Sequence, residues 1–335
     1  MSKAMKSTIA LKYNDTDVPK SVTDECESFI FEDNADGAAD SIEVKLNNST
    51  GKWLRNWHPE NQDSLKAWIR VEDWQQDKKN AKLYCGKFTI DELAYVGFPE
   101  TVQIRAISIP ISGGFNVTER SKTWEKTNTK QIFSDIAKRA QVSLVYDADV
   151  YDVAEESQSG KTDMEFAYGL CSDYGLALKL YNDKMVIYDR GRYEKKKAVF
   201  TISREMLKGS YSIKEQIRTV YDSGKMQYTD GKSTLTYEYI IPGKKGVRRM
   251  FVSSKAESIK DAELKVKTKL RENLRESKTI ELTLMGNIGY RAAENFTLKD
   301  FGKLDGTYFI DYVRHEKSGG RYICQISAHR VVTDF

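Results

Sequence analysis

Two hairpin-like segments of the sequence match each other at a constant offset of 220 residues. The first strand of each segment shares a glycine, an aromatic residue, an isoleucine and an aspartate: Gly86, Phe88, Ile90 and Asp91, and then Gly306, Tyr308, Ile310 and Asp311. The same offset aligns the apolar positions of the following strand: Val102, Ile104 and Ala106 with Tyr322, Cys324 and Ile326. Chance convergence of two hairpins is one explanation, and a duplicated β barrel is the other.

Length and composition place this repeat in an ordered protein of several domains. A chain of 335 residues is too long for one ordinary core, so two or three domains are expected. Hydrophobic residues make up 40% and charged residues 30%, and 19 tyrosines and 13 phenylalanines against 5 prolines favour sheet. The expected fold class is α+β, mainly β.

Residues 1–115 are predicted to form a first β-barrel or sandwich domain. The sequence there contains short apolar runs separated by polar turns: Phe29–Phe31, Ser41–Leu46, Ala67–Val71, Phe88–Ile90 and Val102–Ile109. In the last run the apolar residues alternate with Gln103 and Arg105, which is the period-2 pattern of a half-buried strand.

Residues 116–192 are predicted to form a small α/β domain. A first helix has its N-cap at Thr129, and a second begins with the capping-box spacing of Thr162 and Glu165. Gly175 stands where a left-handed C-terminal cap belongs, and a hairpin with the turn Asn182-Asp183 follows.

Residues 193–335 are predicted to form a second β barrel with one amphipathic helix. Arg190–Lys197 is interpreted as a linker or an exposed turn, and Asp230-Gly231-Lys232 as a hairpin turn. The helix, from about Ala256, has one apolar stripe: Ile259, Ala262, Val266, Leu270 and Leu274. Strands alternate again from Ile280, and the helix has no counterpart in the first barrel.

Charge and cysteine usage argue against several classes of protein. The 53 basic and 49 acidic residues nearly cancel, so no strong attraction to nucleic acid or acidic membranes is expected, and solvated loops explain the basic segments Arg190–Lys197 and Lys244–Arg249. No stretch has the length of a membrane span. The four cysteines are far apart, so buried thiols are expected rather than a zinc site or disulfides.

Enzymatic motifs are largely missing from the sequence. Gly160-Lys161-Thr162 precedes a helix as in a phosphate-binding loop, but Glu155 stands where that loop needs a glycine, so helix capping is the better explanation. His315 and His329 flank one predicted hairpin, and we expect partly exposed sheet positions rather than a metal or catalytic pair. We therefore predict no enzyme, with no catalytic, cofactor-binding or metal residues and no cofactor.

Two rival functions remain open at this point. Glu155-Glu156 is an acidic pair of the kind that a cell-wall hydrolase uses, although adjacent carboxylates in a polar loop are usually solvated. Exposed tryptophans stack on sugars, and four cluster in the first domain: Trp53, Trp57, Trp68 and Trp74. A carbohydrate-binding adhesin is therefore the other alternative, with packing of the indoles as the commoner explanation.

Three segments resemble the late control protein D family of phage baseplate hubs, which is itself similar to the hub part of type VI secretion spike proteins. They are Cys85–Asp91 with Val102–Ser108, Ser121–Trp124 continuing through the two helices to Asp189, and Ser253–Val331. The resemblance implies two tail-tube-like β barrels with a small α/β domain between them. It also implies a homotrimer that joins the hexameric tail tube to the trimeric central spike.

The same resemblance implies the partners and the location. Tail tube or tube-initiator subunits, the central spike protein and the tape-measure protein are the expected partners, with no specific nucleic acid. Assembly is expected in the bacterial cytoplasm, followed by residence in the baseplate of a virion or phage-tail-like particle. Because the sequence stops at Phe335, soon after the second barrel, we expect any spike or lysozyme domain on a separate chain.

Overall fold

The computed structural model describes residues 5–60, 62–74, 79–110, 114–229, 234–254, 256 and 258–333. The first β region contains seven strands and one short helix: β1 (Lys6–Tyr13), β2 (Thr16–Asp17), α1 (Lys20–Asp24), β3 (Cys26–Asn34), β4 (Ser41–Asn47), β5 (Ser64–Trp74), β6 (Lys79–Val96) and β7 (Thr101–Ile107). Four of the five predicted strands lie within these elements, and the fifth, Val102–Ile109, continues two residues past the end of β7.

A mixed unit follows the first β region. Its elements are β8 (Glu119–Asn128), α2 (Thr129–Arg139), β9 (Ser143–Asp147), β10 (Asp152–Thr162), α3 (Asp163–Tyr174), β11 (Leu176–Tyr181) and β12 (Lys184–Asp189). Thr162 and Glu165 form the predicted capping box, and Gly175 closes α3 with a φ of 67°. Asn128, not Thr129, caps α2, because its side chain accepts the hydrogen bond from the Gln131 N–H.

The remaining elements form the second β region. They are α4 (Arg190–Glu194), β13 (Phe200–Ser203), β14 (Leu207–Glu215), β15 (Ser223–Thr229), β16 (Thr234–Ile240), β17 (Arg249–Val252), α5 (Ile259–Ser277), β18 (Lys278–Met285), β19 (Asn295–Lys299), β20 (Gly306–Ser318) and β21 (Arg321–Arg330). The predicted turn Asp230-Gly231-Lys232 lies outside the described residues, although β15 and β16 on either side of it pair as expected.

Thirteen strands from both β regions form one continuous sheet. Its main path runs β14-β18-β21-β20-β3-β4-β7-β6-β5-β1-β2, and β19 and β13 are attached beside β20. The two regions meet where β20 pairs antiparallel with β3, from Tyr312 opposite Asn34 to Ser318 opposite Ser28. The mainly β class is confirmed. Within the described part of the chain, however, the sheet is open, and no strand pairing closes it into a barrel.

The repeat predicted from the sequence is present as a repeated strand order. The path β3-β4-β7-β6 of the first region matches β14-β18-β21-β20 of the second. Each long strand has an irregularity at the equivalent position, between Ile90 and Glu92 in β6 and between Ile310 and Tyr312 in β20. The return strands match at an offset of 222 rather than 220, since Ile90 lies opposite Ala106 and Ile310 opposite Ala328.

Three main groups of buried apolar side chains stabilise these elements. The largest is shared by both β regions and runs from Ile9 to Ala328. A second belongs to the mixed unit, where α2 and α3 pack on β11 and β12. A third lies between α5 and the small sheet β16-β15-β17. The large sheet therefore has one core, whereas the mixed unit and α5 contribute separate ones.

Helix α5 corrects part of the predicted apolar stripe. Ala262, Val266 and Leu270 are fully buried, as expected for the packed face. Ile259 is 53% exposed, because it is the first residue of the helix and follows the N-cap Ser258.

Candidate assembly surfaces and a buried ion network

The solvent-facing side of the large sheet is lined by charged and polar residues. Arg314 of β20 lies 3.3 Å from Glu32 of β3 and 3.3 Å from Glu316. A small polar pocket near this pair is also lined by Glu43 and Arg105. Since the opposite side of the same strands is apolar and buried, the sheet presents one wet face with charges of both signs.

Strands β6 and β14 of the large sheet each have an edge with no strand neighbour among the described residues. Beyond its irregularity, β6 pairs with β7 on one side only, because its pairing with β5 stops at Thr89. Strand β14 pairs only with β18, and seven of its nine residues are exposed. Open edges of this kind offer backbone hydrogen-bonding groups to another strand.

Lys179 of β11 joins the mixed unit to the first β region. Its Nζ lies 2.6 Å from the Asp33 carboxylate and 2.8 Å from that of Asp40. Burial opposes ionisation of Asp33, yet Lys179 holds the pKa of Asp33 below its usual value. Burial raises the pKa of Asp40, and the neighbouring Asp33 adds to the increase. A buried ammonium between two carboxylates ties the β3–β4 turn to β11.

A second buried ion cluster joins α4, α5, β20 and β21. Glu194 pairs with Arg275, and the His329 Nε2 lies 3.3 Å from the same carboxylate. The His329 Nδ1 lies 2.8 Å from Asp311, which also accepts a 2.8 Å hydrogen bond from Arg190. Burial alone would raise the pKa of Glu194, but His329 and Arg275 lower it to about 2. Burial alone would lower the pKa of His329, but Asp311 and Glu194 raise it.

Both histidines of the predicted hairpin are buried, which corrects the expectation of partly exposed positions. The His315 Nε2–H donates a 3.0 Å hydrogen bond to the Tyr290 carbonyl, and the Nδ1 of the neutral ring accepts one of 2.8 Å from the Tyr322 hydroxyl. Burial lowers the pKa of His315 to about 4. His329 also contacts two carboxylates that are distant in sequence, those of Glu194 and Asp311.

The other sequence candidates lie apart from one another. Thr162 caps α3, as predicted for the Gly160-Lys161-Thr162 segment. Glu155 and Glu156 lie on β10, opposite Glu125 and Trp124 of β8, rather than in the predicted loop. The segment expected to be an exposed linker forms α4, in which Glu194 is buried. Because Glu155 and Glu156 are adjacent on one strand, they do not face each other across a cleft, as glycoside hydrolysis requires.

The tryptophans of the first region mainly pack inside it. Trp53 is 7% exposed, and Trp74 donates a 2.7 Å hydrogen bond from Nε1 to the Gly286 carbonyl. Trp68 packs against Tyr84, with ring centroids 5.0 Å apart. Trp57 is 41% exposed, edge-on to Trp53 and covered by the Lys52 ammonium. The tryptophans do not form an open platform for a sugar.

The described residues contain neither a metal-binding cluster nor a membrane-spanning helix. No group of three or more histidine, cysteine or acidic side chains there has the geometry to hold a metal ion. Among the same residues, no helix has both the length and the apolar character needed to cross a bilayer.

Sequence reasoning missed the buried ions and the two open edges. Glu194 and Arg275 are separated by 81 residues, so no local spacing marks them as partners. The sequence did indicate that the strands are equivalent, because the apolar alternation of the two hairpins has the same phase. What the sequence lacked was the identity of each strand's second neighbour.

Comparison with known proteins gives sequence relatives in one group. No family model matches the chain. It is 27% identical over 183 residues to the probable baseplate hub protein of Escherichia phage 186, and 26% identical over 185 residues to that of Escherichia phage P2. The first alignment covers 54% of this chain and 44% of the relative, and the second covers 54% and 45%. The chain thus spans less than half of the length of either relative.

Solved structures with the same fold cover nearly the whole chain. A 43 kDa tail protein of prophage MuSo2 from Shewanella oneidensis has a TM-score of 0.69 at 12% identity, over 97% of this chain and 98% of its own. A type VI secretion system component of E. coli, described as similar to phage T4 tail proteins, has a TM-score of 0.60 at 10% identity, over 97% and 78%. The chain therefore resembles phage baseplate hub proteins in sequence and tail proteins in fold, which confirms the resemblance predicted from its residues.

Proposed function

We propose that the chain is a structural, non-enzymatic baseplate hub subunit of a phage tail or phage-tail-like contractile injection particle. One observation carries the proposal: two equivalent four-strand units lie side by side in one sheet, in a chain that resembles probable baseplate hub proteins. Such a subunit trimerises, and three copies with two equivalent units each present six similar positions to a hexameric tail tube. The other end of the ring has three-fold symmetry and binds the central spike.

The proposed division of the chain is a tube-like β region at 1–115, a small α/β domain at 116–192 and a second tube-like β region at 193–335. The mixed unit has its own apolar core, which supports its treatment as a separate domain. Each β region becomes one sector of a barrel that only the assembled ring completes. The proposed partners are tail tube or tube-initiator subunits, the spike and the tape-measure protein, with assembly in the bacterial cytoplasm before incorporation into the particle.

Light scattering of the purified chain, alone and mixed with tube and spike subunits from the same gene cluster, tests this function. We expect a trimer that binds both partners. A chain that stays monomeric in every mixture and binds neither partner would contradict the proposal. Peptidoglycan clearing by the isolated chain, lost on a single carboxylate substitution, would instead support the hydrolase alternative.

A further inference from the structure

We propose that residues Glu92–Val96 of β6 pair antiparallel with β14 of a second copy, in the register that β20 and β3 use within the chain. The proposal rests on the hub assembly described above, and it assigns the strands and residues that join one copy to the next. We call the β20·β3 pairing the internal joint and the proposed β6·β14 pairing the external joint.

Strand β6 corresponds to β20 in geometry as well as in sequence. Gly86 and Gly306, 220 residues apart, both have positive φ, at 134° and 149°. After them, the Ile90 N–H donates a 2.9 Å hydrogen bond to the Asp63 carbonyl, and the Ile310 N–H donates one of the same length to Glu294. Both strands then pass through the irregularity at the aspartate. Position 95 of β6 is therefore equivalent to position 315 of β20.

Strand β14 corresponds to β3 through the strands beside them. Ile42 of β4 lies opposite Ala106, and Ile280 of β18 lies opposite Ala328 at the equivalent place. Phe31 pairs with Ile42, whereas Ile213 pairs with Ile280. Ile213 is thus the counterpart of Phe31.

The internal joint uses the same edge that remains open in β6. On β20, that edge pairs first with β19 and then with β3, beginning where the Ala35 N–H donates to the Asp311 carbonyl at 2.8 Å. On β6, the edge pairs with β5 as far as Thr89, and from Ile90 onward no described strand occupies it. In the part of the chain that the structure describes, no β3-like strand lies at this place, and β14 is the β3-like strand that has no second neighbour.

Residues at the internal joint are more deeply buried than their counterparts on the open edges of β6 and β14, as expected if those edges lack a partner strand. At the internal joint, Phe29, Phe31, Val313 and His315 are all at most 2% exposed. Their counterparts on the open edges are only partly buried or exposed: Tyr211, Ile213, Leu93 and Tyr95. Tyr211 is 42% exposed. Pairing the two edges would extend the apolar core across the boundary between copies.

The register of the internal joint predicts which side chains meet across the external joint. At the internal joint, Arg314 lies opposite Glu32. Their counterparts at the external joint are Ala94 and Lys214 of the neighbouring copy, which therefore lie opposite each other. Glu92 then lies opposite Gln216 and diagonally from Lys214 on the same face, which places opposite charges within reach. Tyr95 lies opposite Ile213, on the apolar face.

Each copy carries one open β6 edge and one open β14 edge, so the contact is head-to-tail. Contacts of this type close into a ring when a whole number of equal rotations between copies adds up to a full turn. If the external joint repeats the internal one, consecutive four-strand units are related by the same step, and three copies give six such steps.

Disulfide crosslinking tests the external joint. The Ala35–Asp311 hydrogen bond implies that 314 and 32 form a non-hydrogen-bonded pair, in which Cβ atoms approach most closely. Ala94→Cys combined with Lys214→Cys, in a Cys26→Ala background, should therefore give a covalently closed trimer under mild oxidation. The two single-cysteine variants, mixed, should give covalent dimers and nothing larger.

The matched control is Ala94→Cys with Lys208→Cys, which moves the second thiol six residues along the same strand and should not crosslink. The samples are the full chain alone and the full chain with tube and spike subunits. A trimer by light scattering without the 94–214 disulfide overturns the external joint and leaves the hub function standing. A chain that stays monomeric and uncrosslinked in every sample overturns both.

Discussion

The two four-strand units of the large sheet share an order but bury different groups at equivalent positions. In the second unit, His315 and His329 occupy positions whose counterparts in the first unit are Tyr95 and Ile107. Around His329 the second unit also buries Glu194, to which Arg275 is paired. The first unit instead buries Asp33 and Asp40, which pair with Lys179 of β11. A repeated pattern of apolar alternation therefore specifies the strands, while non-repeated polar residues attach the neighbouring elements to one unit alone.

Removing the buried charge at Glu194 should have the largest effect, confined to the second unit. Glu194→Ala leaves Arg275 and His329 without their shared carboxylate, and unpaired buried charges cost about 3–5 kcal/mol in the free energy of unfolding. Urea denaturation measures the change. The control is Glu263→Ala, which removes an i,i+4 pair with Lys267 on the side of α5, worth about 0.3–0.5 kcal/mol. Equal losses of unfolding free energy for the two variants would show that the buried pair at Glu194 contributes no more than the exposed pair at Glu263.

Alanine at the repeated glycines should affect both units alike. Gly86→Ala and Gly306→Ala each force a Cβ onto backbone with φ of 134° or 149°, which costs about 1–3 kcal/mol. Thermal unfolding of the two variants measures it. Gly320→Ala is the control, because no atom lies within 4 Å of its added Cβ and its φ is not positive. A loss at only one of the repeated glycines would show that the two hairpins are not structurally equivalent.

The two histidines of the second unit should respond to pH in opposite directions. The raised pKa of His329 means that its contribution is complete below the unfolded value of about 6.5 and is lost as pH rises through the folded pKa. Relative to His329→Gln, the wild-type chain should lose up to about 1.4 kcal/mol of unfolding free energy per pH unit above that value.

His315 has the opposite sign because its pKa is lowered to about 4. Its neutral form is stabilised by the fold, so stability is present above about pH 6.5 and lost as pH falls towards 4. Chemical denaturation of wild type and of His315→Gln across this range measures the difference. Parallel pH curves for the two proteins would argue against burial of a neutral imidazole.

Charge reversal at the external joint should give the smallest effect. Glu92→Lys places a second cation diagonally across from Lys214, and cross-strand charge pairs contribute about 0.2–1 kcal/mol. Each of the three external joints should weaken by about 1.4- to 5-fold, so trimer dissociation, followed by light scattering on dilution, should shift towards monomer by that factor per joint. Lys214→Glu in the same chain should restore it, whereas Lys208→Glu should not. Failure of the 214 substitution to compensate would contradict the predicted register.

Local chemistry made much of the fold predictable, and non-local pairing made the rest inaccessible. The Thr162–Glu165 capping box and the Asn182-Asp183 turn depend on residues within a few positions, so the sequence alone identifies them. Alternation gave the strands and the phase of the repeat. It did not identify which strand lies beside which, so closed barrels were expected where the sheet is open.

The polar part of the site was least predictable. A histidine on a strand has the same sequence appearance whether it faces water or a buried carboxylate, and only the assembled fold brings Glu194 to His329. Helices α4 and α5 are therefore attached to the sheet by residues that belong to no recognisable sequence motif.

The internal joint also has a consequence for synthesis of the chain. Strands β3 and β20 are separated by about 280 residues, and contacts of such long range form late because a large loop must be ordered first. Until β20 has been translated, the outer edge of β3 is unpaired, and the edge of β6 beyond Ile90 is open as well. Two nascent chains translated from the same messenger RNA could therefore pair β3 of one chain with an open edge of the other. Early folding of the mixed unit would favour correct pairing of β3, because the Lys179–Asp33 ion pair would hold β3 in position until β20 has been synthesised.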